Sequence, residues 1–262
     1  MPFLTFTPTL SFKPTSFLTT LFSTRSARVT PQILRSALVS TAFILLSCTL
    51  CHTQLSQATE AFLSKTYGGL PALGIKQIDP LIISSFHVSV DEGMGIVFNL
   101  KNLNVTGLKE LKIEDFEMDV VKSSVLLKMK ADILVRGDIE ILLTKSSKSF
   151  RGDYSATASA IGTSKYFTTI EKVNGTDYFV VGPEITTCEI TEEPVVKLGD
   201  QLQTALDKDV DAVRLKSEWE SKQETLRKKV ICEIAGIAFQ AIVHNLRTAA
   251  KQLPKNAFFK DI

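Results

Sequence analysis

Apolar and polar positions alternate through the middle of the chain. Val125, Leu127, Met129, Ala131, Ile133 and Val135 share one parity, opposed by Lys128, Lys130, Asp132 and Arg136. A period of two is that of a strand with one face buried and the other wet. Ile82, Phe86, Val88 and Val90 repeat it against Ser85, His87 and Ser89, and Tyr154, Ala156, Ala158 and Ala160 repeat it with small residues. Between Leu111-Ile113 and Phe116-Met118-Val120 the parity flips, which predicts a bulge or bend that keeps both halves facing one core. Asn174-Gly175, set between Ile170 and Tyr178-Phe179-Val180-Val181, is a hairpin signal because both residues tolerate positive φ. From Ile82 to about Val196 the chain thus reads as long antiparallel strands, and strands with bulges predict a strongly curved sheet.

After Pro194 the period changes. Leu202, Leu206, Val210 and Val213 fall at helical spacing between Gly199 and Val213. Ser217 to Ala250 then runs without proline, and Leu226, Val230, Ile234, Ile237, Ala238, Ala241, Ile242 and Leu246 mark one helical face. At about 1.5 Å per residue that helix approaches 50 Å, and Pro254 ends it. A second, short helix is expected at Leu55 to Tyr67. Between it and the first strand lies "GLPALGIKQIDPL", Gly69 to Leu81, in which prolines fix φ and glycines permit sharp turns. It reads as a stiff connector anchored by Leu70, Leu73, Ile75 and Leu81. The expected fold is α+β: a long curved antiparallel sheet wrapped around one very long C-terminal helix.

Charge changes the picture at the N-terminus. Residues 1–59 hold no Asp or Glu, while Lys13, Arg25, Arg28 and Arg35 are basic. Ala37 to Cys51, ALVSTAFILLSCTLC, is apolar and uncharged but short for a membrane span, which needs roughly 20 residues. A basic flank, a short apolar run and small residues at its end mark a secretory signal, with Thr49 and Cys51 before a cut at His52. A signal anchor and an organelle transit peptide are the alternatives. Two regions follow: 1–51 as leader, and 52–262 as a single domain without stable membrane insertion, exported to an extracellular fluid. Sequons at Asn104-Val105-Thr106 and Asn174-Gly175-Thr176 fit export. Cys48 and Cys51 fall inside the leader, leaving Cys188 and Cys232 either to pair, as exported thiols without a metal-like cluster do, or to stay as buried free cysteines.

Without residues 1–51 the chain carries 26 basic against 28 acidic residues, so no electrostatic case exists for binding nucleic acid. Catalytic patterns are missing too. The histidines, His52, His87 and His244, have no metal-spaced partner and read as surface residues, and there is neither a Gly-x-Ser-x-Gly elbow nor a glycine-rich phosphate loop. No enzyme activity, metal or cofactor is expected. Arg151-Gly152-Asp153 spells an adhesion tripeptide but reads as a turn between strands, and Arg227-Lys228-Lys229 reads as a solvated helix face.

Gly69, Pro71, Leu73-Gly74-Ile75, Asp79-Pro80-Leu81, the Cys188 and Cys232 positions, Leu198-Gly199-Asp200 and the closing Leu253-Pro254 with Phe258-Phe259 occur in a familiar order. Over about Leu55 to Ile262 the chain resembles the insect juvenile-hormone-binding and Takeout-like proteins of the tubular lipid-binding superfamily. The resemblance implies a disulfide between Cys188 and Cys232. It also implies an apolar tunnel for an elongated hydrophobic ligand: a juvenile hormone, another terpenoid or a fatty acid. One departure stands out, because the family's second, N-terminal disulfide has no match beyond Cys48 and Cys51, which lie too early and too close together. Apolar-face positions expected to line the tunnel are Phe86, Val88, Met129, Ile133, Trp219, Ile234 and Ile237. The competing reading is an interaction module that docks a receptor or acceptor protein and holds no lipid.

Overall fold

The computed structural model describes residues 56–257 apart from 58, 90–94, 120 and 221, and for Ser217 and Glu218 the backbone alone. The proposed leader 1–51 with Cys48 and Cys51, together with His52, Leu55, Val90, Val120, Phe258 and Phe259, lies outside the described residues. The chain divides into Met1–Ser47 and Cys48–Ile262, and everything described below belongs to the second unit.

Seven strands form one antiparallel sheet. They are β1 (Leu81–Ser89), β2 (Ile96–Thr106), β3 (Lys112–Asp119), β4 (Ser124–Leu143), β5 (Lys148–Val173), β6 (Thr176–Ile190) and β7 (Val195–Leu198). Two strands are very long, β4 at 20 residues and β5 at 26, and they pair over the whole length of β4, from Ser124↔Phe167 to Leu143↔Lys148. Each then serves two shorter strands on its outer edge. β3 and β2 take successive stretches of β4, while β6 and β7 share β5, and β1 completes the edge beyond β2. The parity flip in β3 is a register shift between Ile113 and Asp115, and further irregularities fall at Lys101/Asn104 and Tyr166/Thr168. Bulges of this kind bend a strand and raise its twist, which curves the sheet.

Helical residues 59–66, with 56 and 57, form α1; α2 is Asp200–Lys208, α3 Val210–Glu220 and α4 Gln223–Gln252. The two helical stretches read from the sequence are each broken. Asp209 is extended, and its Oδ1 accepts the N–H groups of Asp211 and Ala212 at 3.0 Å, so its side chain ends α2 and caps α3. The long helix starts at Gln223 rather than Ser217, because residues 217–220 belong to α3. Lys222 N–H closes α3 by donating to the Trp219 carbonyl at 2.9 Å. α4 still spans 30 residues, about 45 Å.

The small residues of β5 explain how α4 comes so close. Ala156, Ala160, Gly162 and Ser164 all face inward on the buried parity, and the ring of Phe239, fully buried on α4, occupies the space a Cβ at Gly162 would need. Around it Met129, Ile234, Ala235, Ala238 and Ile242 have no measurable exposure. α4 is long and apolar enough to cross a membrane by length and composition, but that apolar face is what the sheet covers. A disulfide joins Cys188 of β6 to Cys232 of α4 across 44 residues, which the chain-entropy model values at about 4 kcal/mol. Further along α4, Arg247 donates to the Val181 and Gly182 carbonyls of β6 and pairs with Glu184.

The connector is tied down by Ile75, as its apolar pattern suggests, and by further residues that the pattern does not mark. Leu70 is 40% exposed, whereas Ile75 and Ile78 are buried. Gly69 and Gly74 adopt left-handed φ of 82° and 64° around the turn Pro71–Leu73. Asn245, buried on α4, grips Lys76 twice: it accepts the Lys76 N–H at 2.9 Å and donates to the Lys76 carbonyl at 2.7 Å. Asp79 Oδ2 accepts from the N–H groups of Gly107 and Lys109 at 3.0 and 2.7 Å, so the Asp-Pro-Leu motif holds the turn between β2 and β3.

Candidate ligand cavity

Away from Phe239 the interior opens. Cross-strand neighbours Ile96↔Leu143, Phe98↔Ile141 and Leu100↔Ile139 put three apolar pairs on one face where β2 meets β4. β5 adds Tyr154, and β7, paired to β5 through Ala156↔Val196 and Tyr154↔Leu198, adds Val196 and Leu198. Together these side chains floor a cavity of about 300 Å³. That is the lower end of the range for small-molecule sites, which are concave and mostly apolar.

The roof comes from the helices. α2 reaches the sheet because Gly152 has no side chain; a Cβ there would lie 2.6 Å from the Leu202 Cβ. Arg151-Gly152-Asp153 is therefore not a turn. It sits inside β5, with Arg151 bonded to Glu140 at 2.7 Å and the Asp153 carbonyl accepting the Gly199 N–H at 2.9 Å. α3 lies across the opening, where Trp219 packs edge-on against Phe98 with ring centroids 5.3 Å apart. Leu206, Ala212 and Leu215 extend the same surface, and Leu226 and Val230 of α4 close it. The junction of α2 and α3 is fastened to the sheet by Lys148 of β5, whose Nζ lies 2.7 Å from Asp209 and 2.8 Å from Asp211. Lys148 holds the Asp209 carboxyl below the ordinary carboxylate value, and the hydrogen bonds it donates to both aspartates raise the Lys148 ammonium above its own.

Polar groups cluster on the helical rim. Lys216 lies 3.4 Å from Asp207, Gln203 donates to Asp207 at 3.1 Å, and Arg227 lies 3.7 Å from Glu193. Arg227 thus lines the cavity and does not belong to a purely solvated face. On the apolar side, burial pushes the Tyr154 phenol up, against a weaker opposing pull from the Arg227 charge.

Of the seven expected lining residues, Trp219 lines this cavity. Val88, Met129, Ile133 and Ile234 are buried in the core beside it, and Phe86 and Ile237 are half-buried against that core. The actual floor, Phe98, Ile139, Ile141 and Tyr154, carried a period-2 signal, but parity does not say which stretch of a strand lies beneath a helix and which lies beneath a void. His87 is an exposed strand residue whose Nδ1 is 2.7 Å from Asn99 Oδ1. His244 is half-buried on α4 rather than on the surface, and burial depresses its pKa, helped by Lys76 and Arg247. Among the described residues no cluster of three His, Cys, Asp or Glu is placed to hold a metal.

Comparison with known proteins sets this geometry in a family. Residues 44–176 match the model for haemolymph juvenile hormone binding protein. The juvenile hormone-binding protein of Manduca sexta is 43% identical over 217 residues, covering 81% of this chain and 95% of that one. The chain belongs to the haemolymph juvenile hormone binding protein family. Among solved structures, Takeout 1 of Epiphyas postvittana superposes with a TM-score of 0.63 over 77% of this chain and 93% of that chain, at 17% identity. The shared architecture of that fold is the curved antiparallel sheet, the long C-terminal helix and the short N-terminal helix. The family is one of hydrophobic-ligand carriers, and this member has an apolar cavity between β2, β4, β5, β7 and the three C-terminal helices.

Proposed function

We propose that this protein carries a small elongated hydrophobic molecule through extracellular fluid, with a juvenile hormone as the first candidate and another terpenoid or a fatty acid as the alternative. The observation that carries the reading is the apolar hollow of about 300 Å³ beside a core of buried apolar side chains. Apolar surface leaving water drives entry, at about 25 cal/mol per Å². A ligand of about 20 heavy atoms gaining roughly 0.3–0.5 kcal/mol per atom binds in the micromolar range or somewhat tighter. The nearness to the Manduca sexta protein supports juvenile hormone over the other candidates. Carriage, and not catalysis, fits both a family of binding proteins and a site whose polar groups form paired contacts at its rim.

The mature chain on this reading is 52–262, secreted after loss of the leader. Asn174, exposed with φ of 50° in the β5–β6 turn, and Asn104, exposed on β2, are its glycan acceptors. Native mass spectrometry of secreted protein before and after organic extraction tests the reading, and the extracted mass also reports the leader and glycans. One small lipid per chain, with a bound fluorescent fatty acid displaced by juvenile hormone, is the expected result. Protein that never holds lipid, and binds neither probe nor hormone, points instead to the receptor-docking alternative.

A further inference from the structure

One wall of the hollow carries a charge. α4 turns Gln223, Leu226, Arg227 and Val230 towards the cavity, a spacing that keeps them on one helical face. Further along the helix that face holds Ile231, Ile234 and Ala238, which are buried in the core. Arg227 therefore stands where the inward stripe of α4 begins. The helix starts one turn earlier, at Gln223, so the positive end of its dipole lies on the same wall.

The arginines of this protein are held very differently. Arg247 donates to the Val181 and Gly182 carbonyls at 3.2 and 2.8 Å and pairs with Glu184, and Arg151 bonds Glu140 at 2.7 Å through Nε. Arg227, with 30% of its side chain exposed, has one ion pair among the described residues and no hydrogen bond. That pair spans 3.7 Å to Glu193, itself 58% exposed, and a contact so long and so wet contributes little. The guanidinium keeps its donors for water and for whatever enters. Its charge also acts inside the cavity, since it is felt at the buried phenol of Tyr154.

The rest of the lining narrows the choice of ligand. Lys216 is balanced by Asp207, Glu220 is exposed to solvent, and the floor of Phe98, Ile139, Ile141, Val196 and Leu198 is apolar. A cation with so loose a partner, at the edge of an apolar hollow, fits an amphiphile with an anionic head. A planar guanidinium matches a carboxylate through two parallel hydrogen bonds. A hollow of about 300 Å³ suits a single chain rather than a two-chain lipid. Building on the carrier reading of this cavity, we propose that Arg227 receives the carboxylate of a single-chain fatty acid whose tail lies on the sheet floor. An anionic amphiphile is then a cargo of this hollow in its own right, beside a neutral hormone, and Arg227 sets which end of it faces α4.

The test uses the secreted full-length protein with N-phenyl-1-naphthylamine as a neutral fluorescent reporter, displaced by dodecanoate or by methyl dodecanoate at about pH 8, well above carboxyl pKa values. The wild type is expected to hold the acid about tenfold more tightly than the ester, a factor worth about 1.4 kcal/mol. Arg227→Gln should bring the two within about twofold by weakening the acid and leaving the ester unchanged. Arg227→Lys, which keeps the charge without the fork, should fall between. Both variants should melt with the wild type, because little is lost with the Glu193 pair. An acid-to-ester ratio that Arg227→Gln leaves unchanged, or a wild type that prefers the ester, overturns the assignment. Ala212→Trp, which fills the cavity from α3, separates this failure from that of the carrier reading. If it abolishes binding of both probes while Arg227→Gln leaves the ratio alone, only the carboxylate site is wrong. If Ala212→Trp binds both like the wild type, the cargo lies elsewhere and the carrier site falls as well.

Discussion

Two stretches of the same sheet, with the same inward parity, end up with opposite interiors. Under the middle of α4, Gly162 and its small neighbours on β5 face the ring of Phe239, which is buried completely in one cluster with Met129, Ile234 and Ala238. At the β2–β4 end the strands bring larger side chains, Phe98, Ile139 and Ile141, but α3 spans the opening at a distance and the volume above them stays empty. Inward parity alone does not choose between solid and hollow. The helical layer does, by how close its axis comes, and that closeness is set by side chains as small as a hydrogen atom at Gly162 and as large as an indole at Trp219. A carrier needs both: a filled region that supplies stability, and a region where stability has been given up for room.

The largest expected effect breaks the filled region. Phe239→Ala should cost about 3–5 kcal/mol, because the ring is completely buried against β5 and its removal leaves a large void. Trp219→Ala, an equally large deletion, should cost only about 1–2 kcal/mol, since the indole is half-buried and already borders empty space. Its damage should appear as weaker binding of a fluorescent fatty acid. Urea unfolding and probe titration of the two variants read both quantities. Equal stability losses would show the cavity end to be packed as tightly as the centre, and the contrast drawn above would be wrong.

That contrast also explains what could be read without coordinates. Val125 to Val135 keep one parity and are all buried, and the flip near Ile113 is a real register shift, because period-2 burial and bulges leave direct marks on residue order. The cavity residues were legible as apolar and inward but not as a cavity. Whether Met129 or Ile141 faces a void depends on where α4 gives way to α3, and that break rests on Lys222 closing onto Trp219, a turn with no Pro or Gly to announce it. Phe239, Ile231 and Val243 are more deeply buried than Ile237, since the helical face was centred too far round by counting apolar spacing alone. Asp209 looked like one more polar position in a helix. Its role as a cap is a side-chain choice that spacing does not record.

A milder intervention acts on what holds the hollow end shut. Lys148 reaches Asp209 and Asp211 together, and Asp209 has its pKa lowered chiefly by that lysine, then by the Ala212 N–H. A carboxyl whose folded pKa lies below its unfolded value adds stability that is present above the unfolded value and lost as pH falls through the folded one. Asp209→Asn should therefore be less stable than the wild type at pH 7 and 5 by a constant margin in urea midpoint. The margin should shrink as pH drops through about 3.8 and below. It should come with faster release of bound probe and with faster amide exchange in α3 than in α4. A margin that stays fixed to pH 2, or exchange that rises equally in both helices, would remove the fastening role from the Lys148 pair.

The smallest expected effect is at Gly236, set against Gly162, because the two glycines face opposite problems. At Gly162 an added methyl meets the Phe239 ring itself, and at Gly236, about one turn along α4 from Cys232, an added methyl meets nothing within 4 Å. Gly162→Ala should thus destabilise by about 1–3 kcal/mol through overpacking. Gly236→Ala should stabilise by about 0.5–1 kcal/mol, since alanine gains helix propensity and loses less chain entropy on folding. Thermal unfolding should move in opposite directions for the same one-carbon change, and probe affinity should hold for Gly236→Ala because that position does not line the cavity. If Gly162→Ala were also neutral, the ring of Phe239 would have room to shift, and the centre of the molecule would be as yielding as its hollow end.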